Sequence, residues 1–283
     1  MIPRMKTPAA LLLSALFLST IAQAQAPRLP QPSPAAKAAL TVGVTDVELV
    51  YHRPGVKGRT IWGELVPWGE VWRLGANEAT TISFSTAVKV EGHDVPAGTY
   101  GLFAIPANDK WTLILNKQPE QWGAYFYKPE EDLLRFEVKP QTGPATEWMA
   151  FTMTPAAPDS ALIEMAWETV RVPFTVQADV DRMVWNDLDK SLAGEPDSEV
   201  YLTAVHYALD KGARLDEAMT WTDKALALQE SFWGHEYKAK LLQRQGKVDE
   251  AVQHLDKAMV LAKGKAPQGY IDGLAKLKGE WRG

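Results

Sequence analysis

The sequence predicts a segregated α+β fold: an antiparallel β-sandwich or open barrel followed by an all-α helical-repeat tail. Three observations predict it. From about residue 40 to 177, short runs of period two are broken by Gly and Pro, as in strands with one face on a core and one toward water. Beyond about 178 the apolar period lengthens to that of a helix. Within that tail a block of sequence recurs 33 positions later, the mark of stacked helix pairs.

In chain order, MIPRMKTPAALLLSALFLSTIAQA (1–24) comes first, with Arg4 and Lys6 ahead of an apolar run from Leu11 to Ala22 and a small-x-small site at Ala22-Gln23-Ala24. That is the layout of a secretory signal peptide, and the run is too short to span a bilayer comfortably. The expectation is an exported protein, periplasmic or extracellular, with no membrane span after cleavage. Cysteine is absent, which excludes a lipidated cysteine, disulfides and thiolate metal sites. Losing residues 1–24 removes two cations and no anion, so the net charge goes from -5 to -7. So acidic a chain lacks the basic face that nucleic acid or anionic lipid needs, and neither is expected as a partner. QAPRLPQPSPAA (25–36) has prolines at 27, 30, 32 and 34 and reads as an extended polyproline linker.

The β-domain is expected over 37–177. Its strands are VELVY (47–51), TTISFST (80–86), KVEG (89–92), TYGLFAI (99–105), WTLILN (111–116), LRFEVKP (134–140), EWMAFTMT (147–154), ALIEMAWE (161–168) and VRVPFTV (170–176). EGHDVPAGTY supplies turns at Gly92 and Pro96-Ala97-Gly98, with His93 in a hairpin-like turn. Many short strands without helical segments between them argue antiparallel pairing.

The tail is expected over 178–283. DVDRMVWNDLDKSLAG reads as one helix stopping at Gly194. ARLDEAMTWTDKALAL (213–228) then recurs as GKVDEAVQHLDKAMVL (246–261), and EVYLTAVHYALD and SFWGHEYKAKLLQRQG supply the partner helices. This looks like one to two tetratricopeptide units capped by a helix from about Pro267 to Trp281. Two units are fewer than usually stand alone, so the tail should pack on the β-domain or on its own flanking helices. Its concave face suits a peptide or protein partner.

The chemistry-bearing residues concentrate in YHRPGVKGRTIWGELVPWGEVWRLGANEAT (51–80). Arg53, Lys57, Arg59 and Arg73 are cations in an acidic chain, set among Tyr51, His52, Trp62, Trp68, Trp72, Asn77 and Glu78. Arginine forks suit carboxylate or phosphate, and tryptophan faces suit sugars or guanidinium. One reading is a pocket for a small anionic or carbohydrate ligand lined by Tyr51, Arg53, Lys57, Arg59, Trp72, Arg73, Asn77 and Glu78. In the other, RPGVKGR and LGANE are turn-rich architecture, with Gly75 and Asn77 at positive φ and Glu78 ion-paired to Arg73 or Arg59. NKQPEQWGAYFYKPEEDLLRFEV (116–138) either buries rings over one end of the sandwich or forms a second pocket wall with Trp122 and Tyr125.

No catalytic set is expected. A Gly-x-Ser-x-Gly elbow, a phosphate-cradling glycine loop and a His-Glu-x-x-His pair are all missing, and the five histidines are scattered. Neither cofactor nor metal is implied. Glu64, Glu70 and Glu78 are too common a grouping to mark a glycosidase pair.

The series YHRPGVKGRTIWGELVPWGEVWRLGANEATTISFS, VPAGTYGLFAIP, WTLILNK, WGAYFY and RFEV resembles the bacterial domain of unknown function 2911 family over about 34–176. The matching positions are Tyr51, Arg53, Pro54, Lys57, Gly58, Arg59, Trp72, Arg73, Gly75, Ala76, Asn77, Glu78 and Thr80. The resemblance implies an exported protein with a compact β-domain and no established activity. The leading reading is a non-enzymatic binding protein. Its rivals are a carbohydrate-active or anion-transforming enzyme using Glu78 with Arg59 and Arg73, and a purely structural envelope protein.

Overall fold

The computed structural model describes residues 29–283. The signal peptide expected over 1–24 and the first part of the expected linker lie outside them. Six strands form the larger of two antiparallel sheets: β1 (Ala35–Val42), β2 (Thr45–His52), β3 (Thr81–Phe84), β6 (Gly98–Ile105), β7 (Trp111–Asn116) and β8 (Asp132–Val138), in the order β1-β2-β3-β6-β7-β8. The smaller sheet takes β4 (Val88–Val90), β5 (His93–Val95), β9 (Gln141–Ala157) and β10 (Ser160–Ala178), in the order β5-β4-β10-β9.

Period two does what it promised. On β2, Val47, Leu49 and Tyr51 are buried, while Asp46 is exposed and Glu48 half-exposed. Leu49, Ile82, Leu102 and Leu113 of one sheet join Met149, Ile163, Met165 and Val176 of the other in a shared core, none more than 1% exposed. Each such side chain contributes about 1.5–3 kcal/mol of transfer free energy. Four tryptophans thicken this core. Trp72 stacks on Trp167 at 5.8 Å, and Trp62 meets Trp72, Trp111 and Trp167 edge-on at 5.8, 5.0 and 5.7 Å. Trp62 and Trp72 belong to the long segment between β2 and β3, so their rings pin that segment to the sandwich.

Three expectations need correction. The linker ends before residue 36, because Ala35 and Ala36 already pair with His52 and Tyr51 in β1. Ala36, Ala38 and Leu40 pack on the core, and alanines too small to announce a strand hid this. His93 is not in a turn but opens β5, pairing with Val90. Glu91 and Gly92, at φ 47° and 82°, make the whole two-residue hairpin loop, a connection whose backbone twist suits the flanking strands. Runs 161–168 and 170–176 are a single strand, β10, with register shifts around Glu168, which sits at φ 52°.

Six helices follow: α1 (Val180–Leu192), α2 (Ser198–Lys211), α3 (Leu215–Leu228), α4 (Phe232–Arg244), α5 (Val248–Ala262) and α6 (Gln268–Arg282). Asp179, Asp197 and Ser231 cap α1, α2 and α4 by accepting the backbone N–H of Arg182, Val200 and Gly234. The 33-residue repeat places Ala218 and Ala225 of α3 and Ala251 and Ala258 of α5 at buried close approaches. None of the described helices is long and apolar enough to cross a membrane. The tail is seated on the sandwich by Val180 and Met183, which pack against its core. A Cβ on Gly43 would lie 2.1 Å from the Val180 Cγ2, so this seat requires glycine in the β1–β2 hairpin.

Between α4 and α5, buried His235 places its Nδ1 2.8 Å from the Nδ1 of His254 and its Nε2 against Glu230. Burial, then the His235, Lys238 and Lys257 charges, depresses His254 to about 4, against a partial upward pull from Asp223. The unfolded chain takes up this proton near 6.5 and the folded chain resists it, so stability is lost as pH falls from about 6.5 toward 4. Glu230, held below its ordinary value chiefly by the His235 hydrogen bond, acts in the same direction. The urea midpoint of the helical signal should therefore decline across that window, and His254→Gln should flatten the slope. A midpoint independent of pH in the unmodified chain contradicts the assignment.

Candidate functional site

The candidate site grows from an interruption in the sheet. Trp72 exchanges both backbone hydrogen bonds with Ala104 of β6, at 2.7 and 2.9 Å, and Thr80 accepts from Leu102 N–H at 2.7 Å. Residues 73–79 leave the sheet between these points and return. The neck is closed by Thr80 N–H to Arg73 C=O (3.1 Å), Thr80 Oγ1 to Leu74 C=O (2.7 Å) and Trp72 Nε1 to Gly75 C=O (3.2 Å). Positive φ falls on Leu74 (54°) and Asn77 (55°). Asn77 meets its expectation and Gly75 does not. Gly75 is favoured by space instead, since a Cβ there would sit a tight 3.1 Å from both the His52 carbonyl and Thr80 Oγ1. Holding the branched Leu74 at positive φ costs on the order of 1–3 kcal/mol, offset by burial of its side chain.

The excursion is anchored to the second aromatic stretch. Ala79 N–H donates to Gln121 C=O at 2.9 Å, Gly123 N–H donates to Asn77 C=O at 3.1 Å, and Glu78 pairs with Trp122. Both segments lie over the outer face of the larger sheet, where Ala79, Phe103 and Ile114 form a small second core with Val71, Ala124 and Tyr127 against it. Gln121 is tied down by Nε2 to Asn116 Oδ1 and Gln118 C=O, at 3.2 and 2.7 Å. Tyr127 donates to Asp132 at 2.7 Å and accepts from Arg135. Burial and the Asp132 carboxylate together hold the Tyr127 phenol up at about 12.

Around this junction one group of predicted residues converges. Arg73 lies by Gly123, where an added Cβ would be 3.5 Å from its Nη1 and 2.8 Å from the Tyr125 ring. Its Nε is buried without a hydrogen-bond partner. Glu78 faces His52, Nδ1 to Oε2 3.4 Å, rather than Arg73 or Arg59, and no ion pair with either arginine occurs among the described residues. Trp122, Tyr125 and Phe126 stand 54%, 77% and 71% exposed. Those rings are not buried over the sandwich, and Tyr127 alone of that run serves the packing role.

The remaining predicted residues go elsewhere. Arg53 donates Nε to Met149 C=O at 2.8 Å, and Arg59 folds back on its own loop through Gly55 C=O (2.6 Å) and Val56 C=O (3.1 Å). Lys57, at φ 49°, takes Glu147 Oε1 on its backbone N–H at 2.9 Å and holds its ammonium over Trp148 at 5.5 Å. With Val56 N–H to Glu147 C=O and Met149 N–H to Pro54 C=O, this stretch seals the outer edge of β9, a device against strand addition. Tyr51 and Trp72 lie in the core, Tyr51 accepting from Phe151 N–H at 3.0 Å and meeting the Phe151 ring at 4.9 Å. The four cations therefore divide into one beside the open rings and three serving the loop and the β9 edge.

Sequence reasoning did not pick out Glu147 and Trp148 as partners of the cationic loop, nor Gln31 and Ser33, which accept from Asn77 Nδ2 at 2.8 and 3.4 Å. All lie in other elements, and no local spacing signals them. Among the described residues no cluster of three or more His, Asp or Glu is arranged to hold a metal ion.

Fold and site together define a two-sheet antiparallel domain with an outer polar and aromatic loop junction, continued by a helical tail. The chain belongs to the family described as protein of unknown function (DUF2911), whose model matches residues 33–176, just over half its length. No curated protein and no solved structure matches it.

The buried hydroxyl of Tyr51 ties the two sheets together. Replacing Tyr51 by Phe leaves the Phe151 N–H without its acceptor and should cost about 1–3 kcal/mol in urea denaturation. An unchanged midpoint contradicts this role.

Proposed function

We propose that this protein is an exported, non-enzymatic binding protein whose β-domain takes a small anionic or carbohydrate ligand over Arg73, Asn77, Glu78, Trp122 and Tyr125. The observation that supports the reading is Arg73, a guanidinium whose buried Nε has no partner, beside two rings left open to solvent. A desolvated guanidinium donor without an acceptor is costly, and an incoming carboxylate or phosphate would offset that cost by binding the terminal nitrogens of the same guanidinium, which carry no hydrogen bond among the described residues. Exposed Trp and Tyr faces would stack on a sugar ring, and Asn77 and Glu78 would take hydroxyls. An enzyme using Glu78 beside Arg59 has less support, because Arg59 turns its Nε and Nη2 back onto the Val56 and Gly55 carbonyls of its own loop and makes no ion pair with Glu78. A purely structural role leaves the Arg73 Nε and the open rings without an explanation.

For the tail, we propose a peptide or protein partner. A cleft of about 320 Å³ between α2, α4 and α6, with His206, Tyr237, Lys240, Arg244 and Trp281 on its walls, supports that reading.

The test is a thermal-shift titration with oligogalacturonate as the acidic sugar probe and a neutral oligosaccharide as control. The acidic probe should raise the melting temperature by mass action. Arg73→Ala should weaken it by about 2 kcal/mol, roughly thirtyfold, while Arg59→Ala leaves it unchanged. Equal shifts in Arg73→Ala and the unmodified chain would overturn the site.

A further inference from the structure

A row of hydrogen-bond donors crosses the loop cluster and meets the chain's own proline-rich segment. The Pro34 carbonyl accepts from Arg53 N–H at 2.9 Å, the Ser33 carbonyl from Asn77 Nδ2 at 3.4 Å, and the Pro32 carbonyl from Lys57 Nζ at 3.5 Å. The Gln31 side-chain carbonyl adds a fourth, from Asn77 Nδ2 at 2.8 Å. Three consecutive backbone carbonyls are thus read, and every group that reads them is a donor.

That pattern matches one kind of ligand. A proline-rich chain has few N–H groups to offer but keeps all its carbonyls, and its extended conformation is set before binding, so little entropy is lost on docking. An aromatic face completes the usual means of gripping such a chain. Trp148, 39% exposed, lies beneath the same Lys57 ammonium that meets Pro32.

The segment is held by these bonds and not by burial. Leu29, Pro30, Gln31, Pro32 and Pro34 are all exposed, and only Ser33 is half-buried. The Pro34–Arg53 bond extends the β1–β2 ladder by one residue, and Gln31, Pro32 and Ser33 lie ahead of it, held by side-chain donors alone. A strap fastened by a few polar contacts ahead of the first strand is the sort of element that detaches while the fold stays intact.

We infer that the loop cluster carries a binding site for an extended proline-rich peptide backbone, formed by Arg53 N–H, Lys57, Asn77 and Trp148, and that residues 31–34 occupy it in cis. The site is distinct from the Arg73 platform and shares only Asn77 with it. A proline-rich peptide from elsewhere binds only by displacing the strap, whose tethering gives it an effective concentration of the order of millimolar.

The absence of cysteine allows a single nitroxide label at Leu29→Cys in the intact chain. Its electron paramagnetic resonance lines should be broadened by the docked strap, and should sharpen in Asn77→Ala and in Lys57→Ala while circular dichroism shows the fold retained. Sharp lines in the parent, or broad lines kept in both variants, would overturn the cis assignment. For the site itself, a fluorescent LPQPSP peptide should bind saturably to a chain beginning at Ala35, at least about tenfold more weakly to the intact chain, and at least about tenfold more weakly when Asn77→Ala is added. Equal binding by all three, or none to the shortened chain when its circular dichroism is unchanged, would overturn it. Should the shortened chain not fold, excess peptide added to the labelled intact chain decides the matter: sharpening supports the site, and unchanged broad lines refute it.

Discussion

Two backbone hydrogen bonds, Ala79 N–H to Gln121 and Gly123 N–H to Asn77, hold the candidate site together. They are a fragment of ladder built on the outside of a sheet, between one excursion that joins β2 to β3 and another that joins β7 to β8. Without them, Arg73 and Glu78 on one excursion and Trp122 and Tyr125 on the other have no fixed relation. The bonds work because both excursions are pinned at their bases. Trp72 and Thr80 keep the register of β6 on one side, and Gln121 is clamped to Asn116 and Gln118 on the other. Ala79 and Tyr127 then rest on Phe103 and Ile114, so the junction has a small apolar floor of its own.

That construction accounts for the division of labour among the cations. The segment between β2 and β3 must cross the end of the sandwich, and Trp62 sinks into the core partway along. Ahead of that anchor, the Arg53 and Arg59 side chains are drawn to carbonyls of β9 and of their own loop, while the Lys57 backbone N–H takes the Glu147 carboxylate. Behind it, Arg73 is carried to the junction beside Gly123, where the nearby Glu78 carboxylate turns to His52 instead. Clustering of charges within a stretch of sequence therefore says little about charge pairing in the fold. The anchor between the residues decides.

Legibility in the sequence followed the strength of local periodicity. Nearly all strands and every helix of the tail were readable because alternation or a repeat marked them. The alanine-rich β1 escaped because its inward residues are too small to contrast with its outward ones. β5 escaped because three residues are too few for a period, and the division of β10 at Glu168 was suggested by a bulge that reverses the alternation. In the site, Asn77 at positive φ was legible from residue type, whereas Leu74 was not, since a branched residue is held there by burial against its own preference. The convergence of Glu78 with Trp122 and of Gln31 with Asn77 spans 44 and 46 positions, and contacts of that span leave no trace in spacing. Aromatic and cationic composition pointed to the right loops, and only topology said which members meet.

The claim on which the rest turns is that the two excursions are joined as a structured junction. Amide hydrogen exchange at Ala79 and Gly123 measures it directly. The account predicts that both amides exchange at least about a hundredfold more slowly than amides of a free loop, an opening free energy of roughly 2.7 kcal/mol or more. Exchange of both at the free-loop rate, with the β6 and β7 amides still protected, would mean that the excursions move independently and that no site is assembled there.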